Sequence, residues 1–443
     1  MKKQVISIFI AVLMLFASFA VTGCKPSDSD EEKIDETRTQ IYVNNFGGGY
    51  GDQWLKKAKY GFEEKYKDAV LEDGKQGVQV MITSAKSDVA TEAATGKYDV
   101  FFAENAYYYE LLAENLLLDI TAAVTENLRE EFGEDGTIAG KWNTAQENYL
   151  NAGGKYYAVP HYAGYQGFSY DRDLFEKENF FFADDPSKSD DGFIVRASDK
   201  KSAGRDGEYG TFDDGLPVTY AEFFKLLDRI ESRGYTPLIW NGKYNVEYLS
   251  QLVFALYADF EGYEQMMLNY NFGEGVSVQA ENVVQSISGT GFSASVVHEH
   301  PFTVTAEEGY RVLAQEGRLR ALQFLEKLIK TPKYYDSLSF NYSQTHIEAQ
   351  DNFLVSAYAK AEGKKQIAMI QEGTWWENEA EESMAELADT YGPDAARGAR
   401  RFGFMPLPVF DENSRKDYTL YDAVYSLSFV YARVPDFKKD MAV

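Results

Sequence analysis

Apolar residues recur along this chain with two periods. Gln40 to Phe46 (QIYVNNF) reads as a strand, Gly47 to Gly51 (GGGYG) has loop chemistry, and Asp52 stands where a helix N-cap belongs. Beyond it Trp54, Ala58, Phe62 and Tyr66 return every fourth residue, with Leu55 beside them, and predict one apolar helix face. Val78 to Ile82 and Tyr98 to Ala103 predict two more strands, the second followed by a Glu104-Asn105 turn and a helical run from Tyr107 to Asn115. Strand alternating with helix predicts a parallel sheet covered on both faces, an α/β fold. In such sheets ligands bind at the carboxyl ends of the strands.

The middle of the chain carries Lys155 to Tyr170 (KYYAVPHYAGYQGFSY), then Asp171 to Phe175 opening a helix. A long polar insertion, roughly 182 to 217, interrupts the pattern and ends at Thr219-Tyr220-Ala221-Glu222. That Thr-x-x-Glu spacing is a capping box for a helix bearing Phe223, Phe224, Leu226, Leu227 and Ile230. Further helices are predicted at 246 to 258, 307 to 330 and 346 to 361. The strand Gln366 to Ile370 runs into Gln371-Glu372-Gly373-Thr374-Trp375-Trp376-Glu377, where Thr374 and Glu377 form a second predicted capping box and put both tryptophans in a helix's first turn. Asp422 to Ala432 ends in a strand, and Pro435 opens a last helix on which the chain stops without a capping residue, so the C-terminus reads as truncated. No internal repeat at solenoid spacing is present.

Charge narrows the partners. The 443 residues hold 70 acidic against 44 basic side chains, a formal charge of -26, which repels phosphate backbones and argues against nucleic acid. One cysteine, Cys24, excludes intrachain disulfides and Cys-based zinc clusters. Residues 1 to 23 have a positive start, Met1-Lys2-Lys3, then an apolar run from Val5 to Ala20, the pattern of a secretory leader rather than of a membrane span. Its end, Val21-Thr22-Gly23-Cys24, resembles the bacterial lipobox, in which the cysteine is acylated and becomes the first residue of the mature protein. The other reading is a secreted protein with a free thiol. Two acyl chains satisfy the two-signal requirement for stable anchoring. Residues 24 to 37, polar and acidic, then read as a flexible tether.

The segments after residue 38, taken in order, resemble a family 1 extracellular solute-binding protein, the lipoprotein receptor of a bacterial carbohydrate import system. The pieces that carry the resemblance are Gly48 to Trp54 (GGYGDQW), Leu116 to Thr121 (LLLDIT), Tyr156 to Phe175, and Ile367 to Ile370 leading to Gly373-Thr374-Trp375-Trp376. It implies a two-lobed periplasmic-binding-protein-like fold of type II, with lobes joined by crossing strands and the ligand in the cleft between them. By that resemblance lobe 1 comprises 38 to 162 and a return over 411 to 443, and lobe 2 comprises 163 to 410. It also implies a monomer on the outer side of the cytoplasmic membrane that delivers a sugar or oligosaccharide to the permease of an ABC transporter. A peptide receptor on the same fold, or a surface adhesion lipoprotein without a transporter, are the alternatives.

Sugar rings present C–H faces edged with hydroxyls, so a receptor needs aromatic platforms and carboxylate or amide edges. The candidate loops offer Tyr50, Asp52 and Trp54; Glu104, Asn105 and Tyr107; His161, Tyr162 and Tyr165; Trp240, Asn241 and Tyr248; and Glu372, Trp375 and Trp376. For Trp54 core packing and a platform role are both open. No catalytic residues are assigned: Glu372 and Glu377 are the carboxylates nearest the expected cleft, but the second capping box accounts for Glu377. His298-Glu299-His300 places two imidazoles on one side of a strand without a third ligand nearby. Asp206, Glu208, Asp213 and Asp214 cluster between glycines, a composition that suits calcium as a structural ion or a solvated acidic turn. No other cofactor is expected.

Overall fold

A computed structural model describes residues 32–85, 89–104, 106–272, 278–358, 364–411, 418–422 and 426–443. Cys24, the apolar leader and Asn105 lie outside the described residues. In chain order the strands are β1 (Thr39–Phe46), β2 (Val78–Ala85), β3 (Val100–Ala103), β4 (Tyr165–Asp171), β5 (Thr236–Trp240), β6 (Val284–Ser288), β7 (Ser295–His298), β8 (Ile367–Gly373), β9 (Phe402–Met405), β10 (Tyr421–Asp422) and β11 (Leu427–Val430).

Two sheets define two lobes. In the first the order is β11-β3-β1-β2, with β1 parallel to both β2 and β3 and β11 antiparallel at the edge. In the second the order is β10-β4-β8-β5, with β9 also pairing with β4. Every residue of β8 is buried, as expected of a strand held between two neighbours and covered on both faces. Two stretches of chain pass between the sheets. Val159 pairs with Ser428 at the first sheet while Tyr165 pairs with Asp422 in the second, so 159–165 crosses between the lobes, and Asp422 and Ser428 belong to opposite ones.

Each lobe has its own core. Phe101 and Phe429 stack at 4.9 Å in the first; Phe168, Phe223, Phe224 and Phe324 mesh in the second. The Thr219 capping box forms as read: Thr219 Oγ1 accepts from the Glu222 N–H and the Glu222 carboxylate accepts from the Thr219 N–H. The 182–217 insertion is less polar in its role than in its composition, because Phe182, Phe193, Ile194 and Leu216 join the second core. The segment expected to be a loose tether is also tied down at its end. Glu32 pairs with Lys59, and the Asp35 N–H donates to Gln79 Oε1 at 2.8 Å. Among the described residues no helix is long and apolar enough to cross a membrane.

The first helix, Gln53–Lys65, is rotated from its expected face. Leu55 and Lys59 are its buried residues, Ala58 is exposed, and Trp54, Phe62 and Tyr66 are half-buried along the flank. Asp52 does not cap it through its side chain, which bonds Ser84 Oγ (2.8 Å) and Lys56 (3.0 Å) instead. The predicted helix at 307–330 is split into a 3-10 turn over Gly309–Ala314 and an α-helix over Glu316–Ile329.

Candidate functional site

The loop between β1 and the first helix brings Tyr50 to the junction of the lobes. Its ring meets Tyr162 edge-on at 5.0 Å; Tyr162 meets His161 at 4.3 Å; and His161 stacks on Trp54 at 5.7 Å. Trp54 is steadied by an edge contact with Phe102 and by its indole N–H, which donates to the Gly51 carbonyl at 3.1 Å. Trp54 is thus half-buried and a member of an aromatic row, packed on one side and reaching the crossing segment on the other. Burial pulls the His161 imidazole down to about 4, so it is neutral at ordinary pH.

Glu104, at the end of β3, accepts a hydrogen bond from the Tyr162 hydroxyl. Burial, and then the Glu104 charge, raise the Tyr162 phenol well above its ordinary value. Gly49 lies directly over this carboxylate: a Cβ there would stand 2.6 Å from Glu104 Oε1, and the backbone has φ +55°. Glycine is required at that position on both counts.

The second lobe meets this row through the turn after β8. Thr374 is not a helix cap: the short helix Trp376–Glu379 begins at Trp375 with no side-chain cap bond. The Thr374 hydroxyl sits 2.5 Å from the Tyr50 hydroxyl and accepts from the Tyr165 N–H at 3.2 Å. The Gly49 N–H donates to Glu379 Oε1 at 3.1 Å, and Asn378 Nδ2 donates to the Gly49 carbonyl at 3.0 Å. These bonds join the two lobes directly, loop to turn.

Behind the turn lies a buried carboxyl. Glu372 receives the Tyr248 hydroxyl at 3.0 and 3.1 Å from its two oxygens, and the Gly373 N–H at 3.0 Å. Burial, reinforced by the charge on Glu379, pushes it up to about 8. Gln350 bridges it to Glu379, donating to the latter at 3.1 Å. The buried Asn241 Nδ2, Gln350 Oε1 and Gln371 Oε1 have no hydrogen-bond partner among the described residues.

Several expected residues are elsewhere. Trp240 (0% exposed) and Trp376 (2%) are core side chains, not platforms: Trp240 packs on Tyr335 and Phe340, Trp376 on Phe353 and Phe402. Trp240 ends β5, where alternation turns its ring inward, and Trp376 opens the short helix after β8 with its ring in the cluster of Phe353, Ala380 and Met384. Asn241 holds a turn by accepting from the Tyr244 N–H. Tyr107 is 72% exposed at the start of the Tyr108–Ala113 helix. Trp375, by contrast, is half-buried, and its ring lies over Gly373, whose Cβ, if it had one, would be 2.1 Å from the indole. Sequence reasoning missed Thr374, Asn378, Glu379 and Gln350, which act through the lobe junction. The Thr374 spacing pointed to a cap instead.

In the acidic loop expected to suit calcium, Asp206, Asp213 and Asp214 accept from the loop's own backbone, and Asp213 also from a tyrosine outside it. Asp213 accepts from the Arg205 N–H and the Tyr418 hydroxyl, and Asp214 from the Gly210 N–H. Among the described residues no three His, Cys, Asp or Glu side chains are grouped to hold a metal ion. His298 instead bonds Glu316 at 2.7 Å.

No family model and no curated protein sequence matches this chain. Solved structures do. A chitin oligosaccharide binding protein matches with a TM-score of 0.51 at 15% identity, over 91% of this chain and 75% of that one. A protein studied for xylan utilization by the thermophilic bacterium Caldanaerobius polysaccharolyticus (14% identity, TM-score 0.49) and the apo form of RafE from Streptococcus pneumoniae (12%, 0.46) cover 91% and 93% of this chain and 76% of each partner chain. With two α/β sheets joined by crossing segments, the chain has the two-lobed fold of the solute-binding proteins.

Proposed function

We propose that this protein captures a neutral oligosaccharide between its lobes without altering it and hands it to a transporter permease. The observation that carries the reading is the aromatic row Trp54, His161, Tyr162 and Tyr50, which ends at Thr374 of the other lobe with Trp375 beside it. Aromatic faces suit the C–H surfaces of sugar rings, and the carboxylate of Glu104 with the amide of Asn378 suits hydroxyl edges. That a structural neighbour is a chitin oligosaccharide binding protein supports the ligand class. Binding without chemistry is favoured by the placement of Glu372: it is fully buried, and its oxygens are engaged by Tyr248 and Gly373.

Anchoring through a lipid on Cys24, outside the cytoplasmic membrane, belongs to the same proposal and rests on the leader and the Val21-Thr22-Gly23-Cys24 motif. Thermal-shift and calorimetric titration with neutral, anionic and amino oligosaccharides and with short peptides tests the ligand class. The expected outcome is saturable binding of a neutral glycan that is recovered intact after long incubation. Preference for peptides, or cleavage of the bound glycan, overturns the reading.

A further inference from the structure

The Gly49 peptide is held by two consecutive residues of the other lobe: the Glu379 carboxylate takes its N–H, and the Asn378 amide donates to its carbonyl. Glu379 does not act alone. Its second oxygen accepts from Gln350 Nε2 at 3.1 Å, and the same nitrogen lies 3.5 Å from Glu372 Oε2. Gln350 comes from the helix His346–Val355, whose first turn is set by a capping box of Thr345 and Glu348, and it is fully buried. A side-chain amide nitrogen carries two hydrogens, one for each carboxyl. Gln350 Oε1 meanwhile has no hydrogen-bond partner among the described residues. An unpaired buried oxygen costs free energy, so the orientation is kept by what the nitrogen gains, contact with both carboxyls at once. A continuous polar chain results, from Tyr248 through Glu372, Gln350 and Glu379 of the second lobe to Gly49 of the first.

Two carboxyls that share one amide in the interior resist being charged together. Glu372 is the one that keeps its proton, because it is fully buried whereas the Glu379 side chain is 10% exposed at the lobe junction. Burial first, and then the Glu379 charge, push the Glu372 carboxyl up to about 8. When the lobes part, Glu379 exchanges the Gly49 N–H for water, which screens its charge from Glu372. The proton on Glu372 is therefore held more tightly in the joined arrangement than in the parted one, and by linkage the proton favours joining. The other titratable groups facing this chain are Tyr248, whose phenol burial raises well above its ordinary value, His346, with Nε2 4.0 Å from Glu379 Oε1, and Glu104, which lies against Gly49.

We propose that Gln350 is a positioning residue for the cleft: it ties the Glu379 carboxylate, which holds the first lobe at Gly49, to the Glu372 carboxyl, so that loss of the Glu372 proton loosens the junction on which ligand capture depends. The link to capture rests on the reading that a glycan is held where the lobes meet. The loosening of the junction does not.

Hydrogen exchange of the full chain, read by mass spectrometry on peptides spanning Gly49 and corrected for the intrinsic pH dependence of exchange, tests the junction without ligand. In the wild type, protection there is expected to fall at least about threefold between about pH 7 and about pH 9, the effect of a displacement of roughly half a pKa unit between the two arrangements. Glu372→Gln and Glu379→Gln, which remove one charge of the pair, are each expected to give level protection over that interval. Gln350→Met is expected to lower protection and flatten its pH profile, and His346→Gln to retain the fall. Titration with tetra-N-acetylchitotetraose, a neutral chitin oligosaccharide, adds the ligand: its affinity is expected to weaken at least about threefold over the same interval in the wild type and to stay level in Glu372→Gln. Wild-type protection that does not change with pH overturns the proposal. So does a fall that survives in Glu372→Gln, one that vanishes in His346→Gln, or a profile that Gln350→Met leaves unaltered. Exchange that behaves as expected, with no binding of the oligosaccharide at any pH, supports the coupling and counts against the glycan reading alone.

Discussion

Glu372 and Trp375 stand three residues apart, yet one is fully buried and the other half-exposed, and the difference sets what each can be asked to do. Trp375→Ala is expected to weaken glycan binding by at least about tenfold, roughly 1.4 kcal/mol, with little change in the unliganded melting temperature. A core tryptophan such as Trp240 would instead cost about 3 to 5 kcal/mol of stability on truncation, so a calorimetric titration paired with a melt separates the two roles. Glu372 acts through pH. Its folded value of about 8 lies above the ordinary 4.5, so between those values the folded chain holds a proton that the unfolded chain has released. Stability therefore falls as pH rises through that window. Glu261, raised by burial to about 7, contributes in the same direction up to that pH, while His161, lowered to about 4 from 6.5, contributes oppositely and only below 6.5. Between pH 7 and 8 Glu372 is the one of the three still titrating. The melting temperature of the wild type is expected to decline across that interval, and that of Glu372→Gln to stay level. An equal decline in the variant would locate the titration elsewhere.

At the scale of elements, two identical spacings had different fates. Thr219 and Glu222 cap a thirteen-residue helix whose buried face, Phe223 to Ile230, fixes where its first turn must lie. Thr374 and Glu377 have the same spacing, but only four residues of helix follow, and the hydroxyl finds Tyr50 and Tyr165 across the junction. Local capping is worth about 1 kcal/mol, and tertiary partners of comparable strength override it when the helix behind the cap is short. The strands at 40–46, 78–82, 98–103 and 366–370 were legible because burial imposes period and composition, whereas β4, β5 and β9 of the second sheet, and the order of strands in both sheets, were not read. The lobe junction was not, since Gly49 and Asn378 come from opposite ends of the chain and carry no shared pattern. The last segment makes a similar long-range tie: Lys438 Nζ meets Asp99 Oδ2 at 2.7 Å and the Gln40 carbonyl at 3.3 Å, all buried. Lys438→Met leaves Asp99 charged without that partner, and a loss of about 3 to 5 kcal/mol is expected in denaturant unfolding of the first lobe. A loss below about 1 kcal/mol would show that the final segment contributes little to that lobe.

For the whole molecule, the contacts between lobes among the described residues are polar and few compared with the cores on either side. Gly49 to Glu379, Gly49 to Asn378 and Tyr50 to Thr374 link loop to turn, whereas each lobe is consolidated by its own aromatic cluster. Interfaces of this character favour hinge motion, with the crossing segments as the pivots. A ligand stabilises the joined arrangement by as much as it binds it better than the separated one, and no more. Removing one cross-lobe hydrogen bond costs about 1 kcal/mol, which is a roughly fivefold shift of the equilibrium between arrangements. Asn378→Ala is therefore expected to lower glycan affinity by up to about fivefold, without touching the stability of either lobe. Small-angle scattering should show a larger radius of gyration for the unliganded variant than for the wild type, and convergence of the two at saturating glycan. Gly49→Ala is a harsher test of the same junction, because the added Cβ meets the Glu104 carboxylate and the backbone leaves its left-handed conformation at a cost. If both variants scatter like the wild type with and without ligand, the junction is a rigid part of the fold, and ligand capture has to be explained without closure of the lobes.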